Sequence, residues 1–135
     1  MQIHAGNLKG RRIKTVKNAP YRPTTAIVRK SLFDILRDIE DKSFLDLFSG
    51  TGIIGFEAIS RGARHVTFVE KSIRANALLK INHSLLGLTG DICTIKKIDA
   101  YIGLKSLITG KPKINKINII SYEINAKEAK DIIKY

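Results

Sequence analysis

Apolar and polar positions run along this 135-residue chain in two rhythms, and the switches between them mark its elements. Gln2 to Val16 reads as two short strands around Gly6-Asn7-Leu8-Lys9-Gly10, a hairpin with a basic tip. Thr24 or Thr25 can cap the helix that follows, where Val28, Leu32, Ile35 and Ile39 fall on one face. Short apolar runs then alternate with helical ones. Strands are predicted at Phe44 to Phe48, His65 to Val69, Asp91 to Ile98 and Lys116 to Ser121. Between them the pattern predicts helices from Ile53 to Arg61, stopped by Gly62, and from Ser72 to Leu86, closed by Gly87. The second of these carries Ile73, Ala77, Ile81 and Leu85 in register. A short helix is expected from Ala100 to Ile108, and a last one to Lys134 behind an Asn125/Glu128 capping box. Strands alternating with helices argue an α/β fold, a parallel doubly wound sheet with helices on both faces. The expected division is a basic hairpin over residues 1–20 and a ligand-binding α/β domain over residues 21–135.

Composition narrows the class. With 44% hydrophobic residues the chain can bury a real core. No run approaches the length of a membrane span, and the N-terminus lacks the apolar centre of a secretory signal. Cys93 is the single cysteine and is expected to pack as a small hydrophobe. His4, His65 and His83 have no cysteine partners at ligand spacing, so no metal site is expected. These features point to the cytoplasm. Charge adds more, because the net charge is +12 and its distribution is uneven. From Met1 to Phe33 stand Lys9, Arg11, Arg12, Lys14, Lys17, Arg22, Arg29 and Lys30, with no acidic residue among them. Such a block attracts polyanions through counterion release, and nucleic acid is the usual partner.

The chemistry gathers at "FLDLFSGTG", Phe44 to Gly52. Gly50-Thr51-Gly52-Ile53-Ile54-Gly55 is G-x-G-x-x-G between a strand and a helix, and Glu70 follows twenty residues after Gly50. Pattern alone allows a dinucleotide. Asp46 argues against it, since a carboxylate beside the turn repels a pyrophosphate and attracts a cation. S-adenosylmethionine carries an ammonium and a sulfonium on one side and a ribose and adenine on the other. Asp46 would hold the ammonium, Ser49, Gly50 and Gly52 form the turn against the cofactor, Glu70 takes the ribose, and Asp99 the adenine amino group. A dinucleotide-binding oxidoreductase and a non-catalytic RNA-binding module remain the alternatives.

These segments resemble a known family. "IHAGNLKGRRI", "YRPTTAIVRKSLFDIL", "FLDLFSGTGIIGFEAISRGARHVTFVEK" and the later "IDA" are similar to the bacterial 16S ribosomal RNA guanine-N(2)-methyltransferases, the RsmD-type members of the Rossmann-like class I methyltransferases. The resemblance runs from about Ile3 to Asp99. It implies S-adenosylmethionine as cofactor and the exocyclic amino group of a guanine in small-subunit RNA as methyl acceptor. It also implies that the segment Arg22, Pro23 and Thr24 helps close the cofactor site, and that Lys9, Arg11 and Arg12 of the hairpin face the RNA. Ala26 stands where the family commonly has an acidic residue.

Beyond the third strand the likeness fades. The family places D-P-P-[FY] or N-P-P-[FY] after the fourth strand, to orient the target base. Here Ile117 to Ser121 runs into "YEINAKEAKD", and the prolines are Pro20, Pro23 and Pro112. Tyr122 is an aromatic residue at the corresponding place, but no catalytic residue is assigned. The expectation is a cofactor-binding half of a methyltransferase sheet, truncated to about four parallel strands, whose apolar fourth strand is an exposed edge open to self-association.

Overall fold

The computed structural model describes residues 1–16, 24–102 and 114–121, with side chains as far as residue 97. The first helix, α1 (Ala26–Leu36), is capped by Thr25, whose side chain accepts the Val28 N–H. Then come β1 (Ser43–Leu47), α2 (Ile53–Ser60), β2 (His65–Glu70) and α3 (Ile73–Leu85). After a short 3-10 turn at Gly90–Ile92 follow β3 (Cys93–Ile102) and β4 (Ile114–Ser121). The sheet order is β1-β2-β3-β4.

Three strands are parallel, β1 with β2 and β2 with β3, in the register Asp46↔Phe68 and Phe68↔Ile95. Right-handed crossovers in one direction put both connecting helices on one face. Phe44, Val66 and Phe68 point to that face, packing with Phe33 of α1, Phe56 and Ile59 of α2, and Leu79 of α3. The fourth strand departs from expectation. It pairs antiparallel with β3, with Asp99 opposite Asn118, so the parallel part of the sheet has three strands. The connection over residues 103–113 falls short of the roughly dozen residues that a helical crossover to a parallel neighbour takes. The third strand also runs on to Ile102, which places Ala100, Tyr101 and Ile102 in a strand rather than in the expected helix. The remainder of that helix and the one expected from Asn125 to Lys134 lie outside the described residues.

Two helices bury only in part the face that their apolar spacing suggested, Ala77 of α3 and Ile39 beyond the end of α1 being buried as expected. In α1 the buried residues are Arg29 and Phe33, while Val28 and Ile35 are exposed. Phe33 stacks on Phe44 with ring centroids 6.3 Å apart, and Arg29 donates to the carbonyls of Thr24 and Gln2. In α3, Ala75 through Leu79 and Asn82 are buried, whereas Ile73 and Leu85 are exposed. Hydrogen-bonded polar side chains share the inward face of both helices with apolar ones.

The N-terminal segment closes on itself as the expected hairpin, though not as two full strands: Gln2 bridges Arg12, with the Ile13 N–H on the Met1 carbonyl and the Ile3 N–H on the Arg11 carbonyl to either side. Ile3 and Ile13 belong to the core, and the tip is fastened to α2. The buried Glu57 carboxylate accepts the N–H groups of His4 and Ala5 at 2.9 and 3.0 Å and pairs with Arg61 at 3.2 Å. Ser60 accepts the Leu8 N–H. Charge-assisted bonds of this kind are stronger than neutral ones, so the segment is held as part of the domain.

Candidate functional site

The site grows from the way β1 ends. After Leu47 the chain must turn sharply into α2, and three consecutive demands shape it. Phe48 and Gly50 adopt left-handed backbone, with φ of 60° and 53°. Glycine takes this at no steric cost, whereas a phenylalanine there is strained by roughly 1–3 kcal/mol. Gly52, at φ 77°, has no room for a side chain, since a Cβ would lie 2.3 Å from Leu79 and 2.7 Å from Phe56. Gly55 likewise lets α2 settle on the sheet, because its Cβ would meet Phe68 at 2.2 Å. Gly52 and Gly55 therefore serve packing, and Gly50 faces the pocket.

That pocket has a volume of about 390 Å³ and lies over the C-terminal ends of β1 and β2. Thr24, Asp46, Ser49, Gly50, Thr51 and Glu70 contribute its polar lining, with Leu47, Phe48, Ile53 and Ile54 the apolar part. Its size suits a small organic ligand or cofactor. Of the residues expected from sequence, Thr24, Asp46, Ser49, Gly50 and Glu70 meet here. Gly52 supports the turn without lining the pocket. Asp99 lies within β3, three residues short of its end, and Arg22 falls outside the described residues.

The two carboxylates differ in state. Asp46 is 8% exposed, and one of its oxygens accepts the Gly55 N–H at 3.0 Å. Burial pushes its pKa up to about 6, the Gly55 bond opposes the rise, and the charge of Glu70 adds to it. Glu70 accepts three backbone N–H groups, from Gly50 at 2.8 Å, Lys71 at 2.8 Å and Ser72 at 2.9 Å. Its carboxylate thus ties the glycine turn to the start of α3. Ser49 is a tie as well, its hydroxyl bonding the Asp46 carbonyl and accepting the Val69 N–H. Two acidic groups around one pocket, one of them poorly solvated, favour a cationic ligand over a phosphate.

The basic tip is split in role. Lys9 and Arg12 are exposed, whereas the Arg11 guanidinium donates to the carbonyls of Leu85 and Leu86 at the end of α3. Those carbonyls lack helical partners, which is why a cation is favourable there. Cys93 is buried, and burial pushes its thiol up to about 11. Among the described residues no cluster of His, Cys, Asp and Glu could hold a metal ion, and no helix is long and apolar enough to cross a membrane. Sequence reading missed Thr51, Phe48, Glu57 and Asn82. The signal for Glu57 was a charged residue inside an otherwise apolar helical run, whereas Asn82 stands among other polar residues of α3 and carried none.

A family model described as conserved hypothetical protein 95 matches residues 1–120. Ribosomal RNA small subunit methyltransferase D of Buchnera aphidicola subsp. Acyrthosiphon pisum is 45% identical over 82 residues, covering 59% of this chain and 42% of that protein. The Escherichia coli (strain K12) protein of the same name is 39% identical over 71 residues, covering 52% and 36%. Among solved structures, "Putative methyltransferase yhhF" from Escherichia coli matches with a TM-score of 0.61 at 32% identity, covering 70% of this chain and 50% of that one. Hypothetical protein TTHA0928 of Thermus thermophilus gives a TM-score of 0.61 at 31% identity, covering 82% and 60%. The sheet is thus of the Rossmann-like methyltransferase type, and the chain spans less than half the length of its curated relatives.

Proposed function

The chain belongs to the conserved hypothetical protein 95 family, the RsmD-type methyltransferases, and from that premise we propose that it binds S-adenosylmethionine at the ends of β1 and β2. In this reading it is the cofactor-binding part of a cytoplasmic enzyme that methylates the exocyclic amino group of a guanine in small-subunit ribosomal RNA. One observation carries the cofactor: Asp46, buried beside Glu70 in the pocket, with its pKa raised to about 6. An unpaired buried carboxylate is costly, and a ligand ammonium would remove that cost by pairing with it. A dinucleotide would bring a pyrophosphate to the same place and raise the cost.

The residues fit the cofactor part by part. Asp46 takes the ammonium, and the main chain at Ser49 and Gly50 borders the amino-acid end. Glu70 has about one of four acceptor sites left for a ribose hydroxyl. Thr24 borders the pocket, and the family resemblance assigns Arg22 to closing the site and Asp99 to the adenine amino group. When bound, the cofactor supplies a methyl group on a sulfonium. The acceptor base needs positioning groups of its own, and no Pro-Pro pair occurs in the sequence to provide them. Lys9 and Arg12 are exposed cations that would meet RNA phosphates.

Calorimetry with S-adenosylmethionine and with NADH decides between the ligands. Binding of the first with no heat from the second is expected. NADH bound and S-adenosylmethionine ignored would overturn the assignment.

A further inference from the structure

Asn82 is fully buried on α3, and its side chain bonds residues far from it in sequence. Its Oδ1 accepts the Lys14 N–H at 2.8 Å. Its Nδ2 donates to the Lys14 carbonyl at 3.0 Å and to the Thr51 carbonyl at 3.3 Å. Both amide hydrogens are therefore used, one on the basic N-terminal segment and one on the glycine turn of the pocket. The orientation of the amide is fixed by these partners, since reversing it would set a donor against the Lys14 N–H and an acceptor against two carbonyls.

Two further contacts join the same parts. Leu79, three residues before Asn82 and on the same face of α3, fills the space that Gly52 leaves open. Thr51 Oγ1 meets Met1 Sδ at 3.7 Å, so both arms of the N-terminal segment reach the turn. At its other end the segment is held by Glu57, Ser60 and the α3 carbonyls that Arg11 takes. Hydrogen bonds thus run from the basic segment through Asn82 to Thr51, and Thr51 lines the pocket.

We propose that Asn82 is a positioning residue that joins the basic N-terminal segment to the cofactor turn, so that RNA and cofactor bind cooperatively. The inference rests on the reading above, that the pocket takes S-adenosylmethionine and the basic segment takes RNA. RNA held on the exposed cations of this tied segment further restrains Lys14, hence Asn82, hence the Thr51 carbonyl and the turn. The cofactor then meets a turn already held in its bound shape, and by linkage the cofactor strengthens RNA binding by the same factor.

The experiment measures the dissociation constant of S-adenosylhomocysteine for the full chain, with and without a saturating hairpin RNA of small-subunit sequence. Wild-type protein is expected to bind the cofactor product about fivefold or more tightly when RNA is present. In Asn82→Leu that ratio should fall to about one, while each ligand still binds alone. Lys14→Ala keeps both backbone bonds to Asn82 and should keep the ratio, although it removes a cation. A wild-type ratio of one overturns the proposal, and so does a wild-type ratio retained in Asn82→Leu, since a purely structural amide would weaken both affinities without changing their quotient. Should Asn82→Leu fail to fold, hydrogen exchange on the wild type decides. RNA alone must slow exchange over residues 49–52, and unchanged exchange there overturns the coupling. Failure of the wild-type chain to bind S-adenosylhomocysteine at all is a separate result, which would sink the functional reading itself.

Discussion

The strands β1 and β2 lie side by side, each sends a carboxylate to the pocket, and yet their surroundings differ. On β2, a central strand, Val66, Phe68 and Val69 are buried, and Glu70 already accepts three backbone N–H groups. On β1, at the edge of the sheet, Leu45 and Leu47 are 59% and 53% exposed, Phe48 beyond them is 75% exposed, and Asp46 accepts one N–H. A central strand is packed on both sides, so its polar end becomes part of the framework. An edge strand has partners on one side only, so its carboxylate keeps unused acceptor sites and its apolar residues remain bare. The β2 half of the pocket is finished by the chain's own backbone, whereas the β1 half is left for other groups to complete.

The largest effect this contrast foretells is on catalysis. Methyl transfer needs the cofactor methyl and the acceptor nitrogen held in line, and the base-holding groups would have to stand on the β1 side. The sequence has no Pro-Pro pair to provide them. The 135 residues alone should therefore transfer no detectable radiolabelled methyl group to small-subunit RNA. A version extended by the family's D-P-P-[FY] segment and further strands should act at least about a thousandfold faster, given what proximity contributes. Comparable rates from the two would mean that Tyr122, Glu123 or a partner chain supplies the missing groups.

A smaller effect separates the carboxylates. Asp46→Ala should weaken S-adenosylmethionine binding by tens-fold, because a buried ammonium loses its counter-charge, an effect of about 2 kcal/mol or more. Glu70→Gln should cost only a few-fold, since in the proposed arrangement it would meet neutral hydroxyls. Calorimetric titration of both variants checks the order, and a larger loss in Glu70→Gln would reverse the comparison.

Acidity sharpens it further. Only the ionised form of Asp46 attracts an ammonium, and its pKa is raised from 3.8 to about 6. Affinity should accordingly rise through pH 6 and level off above it, with about a tenfold loss at pH 5. Folding runs the other way. The stability contributed by the neutral carboxyl is fully present below pH 3.8 and is lost as pH rises through about 6. Asp46→Asn should thus melt higher than wild type at about pH 8 and lose that advantage near pH 4, as paired thermal melts would show. Equal melting under the alkaline condition would remove burial as the cause.

Much of this was legible in the sequence, and the failures share one cause. The turn residues Gly50 and Gly52, the acids Asp46 and Glu70 and the order of elements through β3 follow from local patterns, because each is set by backbone needs a few residues apart. The buried faces of α1 and α3 followed only in part, at Ala77 and at Ile39 beyond the end of α1. Apolar spacing favoured Val28 with Ile35, and Ile73 with Leu85, whereas the inward positions include Arg29, Asn76 and Asn82. Each of these inward polar residues bonds backbone carbonyls, and only folding brings the partners of Arg29 and Asn82 close. The direction of β4 failed for a related reason: its register was judged from its own residues, although the length of the preceding connection decides it.

The smallest effect concerns the bare side of β1. Leu45→Thr and Leu47→Thr replace exposed leucines by a residue with good strand propensity, and exposed sites away from caps and networks usually change stability by within about 0.5 kcal/mol. For a chain of this size that is a melting shift of about 2 °C. Phe68→Ala, on the neighbouring strand and fully buried, should instead cost about 3–5 kcal/mol by opening a cavity beneath Phe56 and Gly55. Thermal melts at two protein concentrations distinguish the causes. If the leucine variants melt much lower than wild type, and the gap widens with concentration, the residues are covered in solution by a second copy pairing along β1. In that event the open edge that self-associates is β1, at the opposite side of the sheet from β4, and the apolar run Ile117–Ser121 is not the sticky one. A gap of about 2 °C at both concentrations leaves β1 as a free edge beside a half-built pocket.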